Sequence, residues 1–107
     1  MSRNIRELAL LEGATTAAAG SAFSVENQKG WTFLVVATGV TTGATVEIQA
    51  KVNGEWQAIH EEVVTATGAS DPIRDEHGHY HSLRAEITSY TDGTYDVEAV
   101  GTNIKKA

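Results

Sequence analysis

Asp75-Glu76-His77-Gly78-His79-Tyr80-His81 puts three histidines beside two carboxylates in seven consecutive residues. In an extended chain side chains alternate, so Asp75, His77, His79 and His81 would share one side. Imidazole and carboxylate are ligands for Zn, Ni, Cu or Fe, and His-x-His on a strand is a workable chelate. The expected metal residues are therefore His77, His79 and His81, and a transition-metal ion is the one cofactor the sequence suggests. Two other readings stay open: an exposed polar edge that happens to carry histidines, and a contact that responds as they charge together near about pH 6. Gly78 weakens strand geometry and favours a bend.

Other reactive arrangements are missing from the sequence. It has no serine nucleophile elbow, no glycine-rich phosphate loop and no zinc-protease helix. Glu61-Glu62 and Asp75-Glu76 are adjacent pairs, and neighbours on a strand project to opposite faces, so neither makes a ready general acid and base. The expectation is a protein that is not an enzyme. Trp31, Trp56, Tyr80, Tyr90 and Tyr95 could stack on a sugar, but such residues more often fill a small core or border an interface. The pattern favours core or interface for Trp31 and Trp56 and leaves Tyr80 and Tyr90 open.

The elements that position these residues are strands. Residues 44–59 (ATVEIQAKVNGEWQAI) and 82–101 (SLRAEITSYTDGTYDVEAVG) alternate apolar and polar residues around Asn53-Gly54 and Asp92-Gly93. Val46, Ile48, Ala50 and Val52 fall on one face, as do Leu83, Ala85 and Ile87 in the second stretch. Period-two alternation places one face on a core, and Asn-Gly or Asp-Gly suits the positive φ of tight hairpin turns. Residues 31–38 (WTFLVVAT) are apolar on both faces, which predicts a central strand or one covered by a neighbouring subunit. Trp31, Phe33, Leu34 and Val36 are the expected oligomer interface. Turn signals recur as in sandwiches and barrels. The expectation is an all-β fold, an antiparallel β-sandwich or small barrel of jelly-roll or Ig-like type, with about eight strands.

Residues 1–21 read as an N-terminal arm and connector ahead of a sandwich at 22–107. In 1–12, Ile5, Leu8 and Leu11 are the expected partner-binding anchors, and 13–21 (GATTAAAGS) looks like a flexible linker. Leu8–Leu11 could equally pair as a first strand. The apolar run is too short for a secretory signal or a membrane span. With 14 carboxylates against 8 Lys and Arg, the net charge of −6 argues against a nucleic-acid partner. Cysteine is absent, which excludes disulfides and thiolate metal sites. The 107 residues suffice for one modest core.

Val46-Glu47-Ile48-Gln49, Asn53-Gly54, Trp56, Leu83-Arg84-Ala85, Ile87-Thr88, Tyr90 and Gly93-Thr94 together resemble small virion proteins of tailed bacteriophages over about residues 22–101. Among these a stand-alone domain of this size is most similar to a head decoration (cement) protein. The resemblance implies a structural protein on the outer capsid surface, assembled in the host cytoplasm. It implies a homotrimer bound to the major capsid protein, with neither nucleic acid nor membrane as partner, that stabilises the expanded shell. The alternatives are a carbohydrate-binding or fibre-associated module and a tail or neck component. The His-x-His spacing is similar to that by which trimeric phage fibres hold iron on a three-fold axis. The leader 1–12 and the histidine cluster are not part of the shared pattern.

Overall fold

The computed structural model describes residues 5–25, 30–75 and 80–102. Nine strands are present among them: β1 (Ile5–Ala14), β2 (Phe23–Ser24), β3 (Gly30–Thr38), β4 (Ala44–Val52), β5 (Glu55–Val64), β6 (Gly68–Ala69), β7 (Ile73–Asp75), β8 (Ser82–Tyr90) and β9 (Thr94–Thr102). They form two antiparallel sheets. Sheet A runs β1-β9-β3-β6, with β7 also on β3, and sheet B runs β2-β8-β4-β5. The expected all-β sandwich is the observed fold.

The core lies between the sheets and follows from the alternation. Trp31, Phe33, Val35 and Ala37 of β3 face Val46, Ile48 and Ala50 of β4, with Leu83, Ala85 and Ile87 from β8 and Tyr95, Val97 and Ala99 from β9, all buried. Burying each of the larger apolar side chains contributes about 1.5–3 kcal/mol. Trp31 lies flat across its register partner Gly101, where a Cβ would stand 2.7 Å from the ring, so only glycine fits that point of β9. The doubly apolar β3 is central, flanked by β9 on one side and by β6 and β7 on the other.

Several elements depart from the sequence expectation. Residues 5–14 are not an arm outside the sandwich but an edge strand of sheet A, paired with β9 from Ile5↔Thr102 to Ala14↔Tyr95. Its register shifts, between Ala9 and Leu11 and between Leu11 and Ala14, turn Leu8, Leu10 and Leu11 all into the core. The flexible linker is also ordered in part. Ala18 C=O accepts from Ile87 N–H, Gly20 N–H donates to Ala85 C=O, and Val25 N–H donates to His81 C=O, so the crossover from β1 seals the free side of β8. Val52 is 49% exposed rather than buried, since it sits past the end of the covered part of β4.

The two expected hairpins also diverge. Asn53-Gly54 joins β4 to β5 within sheet B, with φ of 52° and 80° and Val52 opposite Glu55. Asp92-Gly93 carries the chain from β8 in sheet B to β9 in sheet A. It is a corner between layers, not a hairpin.

Candidate functional site

The outer face of sheet B carries a polar ladder built by register. Glu61, Glu47 and Glu86 align across β5, β4 and β8; the next row holds Ala58, Gln49 and Arg84, and the last pairs Lys51 with Trp56. Glu47 and Glu86 stand directly opposite, an arrangement that repels. Gln49 relieves it, donating from Nε2 to Glu47 Oε1 at 3.0 Å and to Glu86 Oε1 at 2.8 Å, while its Oε1 accepts from Arg84 Nε at 2.7 Å. With these bonds made, Gln49 is only 6% exposed although it points away from the core. The Arg84 guanidinium lies 4.4 Å above the Trp56 ring centroid and the Lys51 ammonium 5.8 Å from it. Cation–π attraction and the shared hydrogen bonds fix these side chains in one arrangement. Such an ordered face can dock a partner, with Gln49, Glu47, Glu86, Arg84 and Trp56 held by one another.

A second polar group lies where β5 overhangs β7. A bulge between Ile48 and Gln49 in the β4–β5 register leaves Ile59 as the extra residue and sets His60 on the inner side opposite Ile48. There the His60 ring tilts against Phe33 at 5.6 Å, and Phe33 stacks on Trp31 at 6.2 Å. His60 Nε2 is 3.5 Å from Asp75 Oδ2. The Tyr80 hydroxyl donates to that same carboxylate. Burial first, then the hydrogen bond and the charge of Asp75, push the Tyr80 phenol far above its ordinary pKa, so it keeps its proton. His60 Nε2 and Trp31 Nε1 are buried without a hydrogen-bond partner among the described residues. No group of three or more His, Cys, Asp or Glu placed to hold a metal occurs among those residues.

The residues expected from sequence to carry function are distributed as follows. Leu8 and Leu11 are committed to the core beside Leu10, and Ile5 pairs through its backbone with Thr102. Trp31 and Phe33 are 2% and 0% exposed between the sheets, so their side chains belong to the monomer core. Leu34 and Val36 are half-buried on the opposite side of β3. His77 and His79 lie outside the described residues; His81 is exposed just ahead of β8, and its carbonyl accepts from Val25. Sequence reasoning missed His60, Gln49 and the partnership of Trp56 with Arg84. The signal for the last was available, since Lys51, Gln49 and Arg84 all fall on the polar phase of their strands.

No protein-family model matches the chain, and no curated protein matches it. Solved structures do share its fold. The SPBc2 prophage-derived protein YomS superposes with a TM-score of 0.72 at 15% identity, covering 95% of this chain and 96% of that one. The PBSX exported protein XepA gives 0.74 at 19% identity over 95% of this chain, which spans only 39% of XepA. A chain from the disulfide-linked pili of Bacillus endospore appendages gives 0.54 at 12% identity, covering 97% and 87%. At these identities the likeness is one of fold.

Proposed function

We propose that this chain is a structural protein of a tailed-phage particle, acting as a capsid decoration (cement) protein. The observation that carries the reading is the match of nearly its whole length to nearly the whole of YomS, which is prophage-derived. The virion-protein texture of residues 22–101 supports it independently. In this reading the Trp56–Arg84–Gln49 face of sheet B docks on the outer surface of the head. Trp and Arg are the residue types that dominate binding energy at interfaces, and these two are held in place before binding. A rigid module bridging capsid subunits favours the expanded shell by mass action, and a symmetric lattice multiplies modest contacts into avidity. The homotrimer belongs to this proposal. The partner is the major capsid protein.

Immunogold labelling of particles from the phage or prophage that encodes the chain tests it. Label over heads, lost on Trp56→Ala with about a 30-fold drop in occupancy affinity, is the expected result. Label at the neck or tail moves the protein to that structure, and particles without label overturn the reading.

A further inference from the structure

Four register rows cross the outward side of sheet B. Lys51 and Trp56 form the first, Ala58, Gln49 and Arg84 the second, Glu61, Glu47 and Glu86 the third, and Val63, Thr45 and Ser89 the fourth. The one Lys and the one Arg of β4, β5 and β8 therefore lie in the first two rows, and the three outward carboxylates share the third. Glu55 and Glu62, opposite Val52 and Val46, fall on the other side of β5. Each end of the face also holds an apolar side chain on β5: Trp56 in the first row, and Val63, 59% exposed, in the fourth. The flank beside β8 is small and uncharged, with Ala19 next to Glu86 and Ser24 next to Ser82.

We infer that two copies of this chain pair face to face through this side of sheet B, about a two-fold axis running across the strands between the second and third rows. That rotation lays each strand over its own counterpart and reverses the order of the rows. Arg84 then meets Glu86 of the second copy, Gln49 meets its Glu47 and Trp56 covers its Val63. Each contact occurs twice, because the interface is isologous. Lys51 comes over Thr45 of the second copy, one row from its Glu47. A two-fold axis along β4 would instead set Glu47 on Glu47, Lys51 on Lys51 and Glu61 on Glu86, and like charges so placed repel. Charge thus selects one of the two face-to-face arrangements. Twisted sheets pack in this aligned way at about 30°, which keeps the rows matched near the axis. Arg84 is already bonded to Gln49 and stacked on Trp56, so little side-chain freedom is lost on pairing.

Three strands by four rows make a small interface, and the dimer is accordingly weak and reversible. It covers Trp56 and Arg84, so the face proposed to dock on the head is free only once the dimer opens. That competition rests on the capsid reading, whereas the dimer itself requires only the purified chain.

Sedimentation velocity of the full chain across micromolar concentrations tests it. The expected result is a reversible monomer–dimer equilibrium, with tryptophan emission shifting to the blue as Trp56 is covered; Trp31 is buried in either state. Arg84→Glu and Glu86→Arg should each weaken the dimer at least about 30-fold, since two ion pairs become two like-charge contacts. Mixing these two variants should restore it as a heterodimer, because every reversed charge then meets its complement. Val63→Glu, at an exposed site outside the core, should weaken it about tenfold. Circular dichroism and thermal melts check that each variant folds. A monomer throughout, a dimer indifferent to Val63→Glu and Arg84→Glu, or a variant mixture that stays monomeric would overturn it. A dimeric chain that leaves particles unlabelled removes the capsid reading and keeps the dimer; labelled heads with a monomeric chain do the reverse.

Discussion

Asn53-Gly54 and Asp92-Gly93 are interchangeable by turn chemistry, yet one closes a hairpin and the other turns a corner between sheets. The difference lies in what each turn meets. Asn53 and Gly54 are exposed, and nothing stands near the place a Gly54 Cβ would occupy. Asp92 meets the β3–β4 connection, which crosses between the same two sheets in the opposite direction. Its carboxylate accepts from the backbone N–H groups of Thr41, Thr42 and Gly43 at 2.9–3.2 Å. Tyr95 and Tyr90 close the arrangement, donating to Asp92 C=O at 2.7 Å and Gly93 C=O at 2.8 Å, with their rings edge to face. A local sequence signal thus fixes that the chain turns; distant partners decide which layer it enters.

Glycine substitution breaks this comparison most sharply. Gly93→Ala forces a residue to φ of 101° with its Cβ 2.8 Å from Val40 Cγ2 and 2.9 Å from the Tyr95 hydroxyl. Strain and overpacking together should cost about 3 kcal/mol, read from urea denaturation. Gly54→Ala, at φ of 80° in open space, should cost about 1 kcal/mol in the same experiment. Equal costs would mean that the two turns are equivalent after all. Tyr95→Phe removes one hydrogen bond at the corner and should cost a further step down, about 0.5–1 kcal/mol.

The smallest effect is a pH signature. Hydrogen bonds from the Thr42 N–H above all, then from Thr41 and Gly43, hold the Asp92 carboxyl below its ordinary pKa against a weaker opposing effect of burial. A carboxyl lowered on folding contributes stability above its unfolded pKa of about 3.9 and loses it as pH falls through the folded value. Asp92→Asn should therefore melt below the wild type at neutral pH, and the gap should shrink as the medium is acidified below about pH 4. A gap independent of pH would assign the corner to packing alone.

Much of the fold was legible because alternation is a local property. β3, β4, β8 and β9 each bury the face that their pattern marks. β1 was not legible, since its two register shifts bury Leu8, Leu10 and Leu11 together and erase the period of two. The same holds for β5, where the bulge at Ile59 and the inward His60 and Glu62 give an edge strand a polar inner side. The proposed docking face was half legible: Trp56 and Arg84 sit on the polar phase of their strands, but their meeting depends on the β4 register between them. The histidine run drew attention through spacing alone, whereas the histidine placed against a carboxylate, His60, is isolated in sequence.

The pairing of Ile5 with Thr102 sets the two limits of the described chain side by side, a few ångströms apart across an antiparallel ladder. A domain with neighbouring ends can be spliced into a loop of another protein without stretching either partner. Its graft point would be the end where β1 begins and β9 finishes, and the corner at Asp92-Gly93 would project freely from the host.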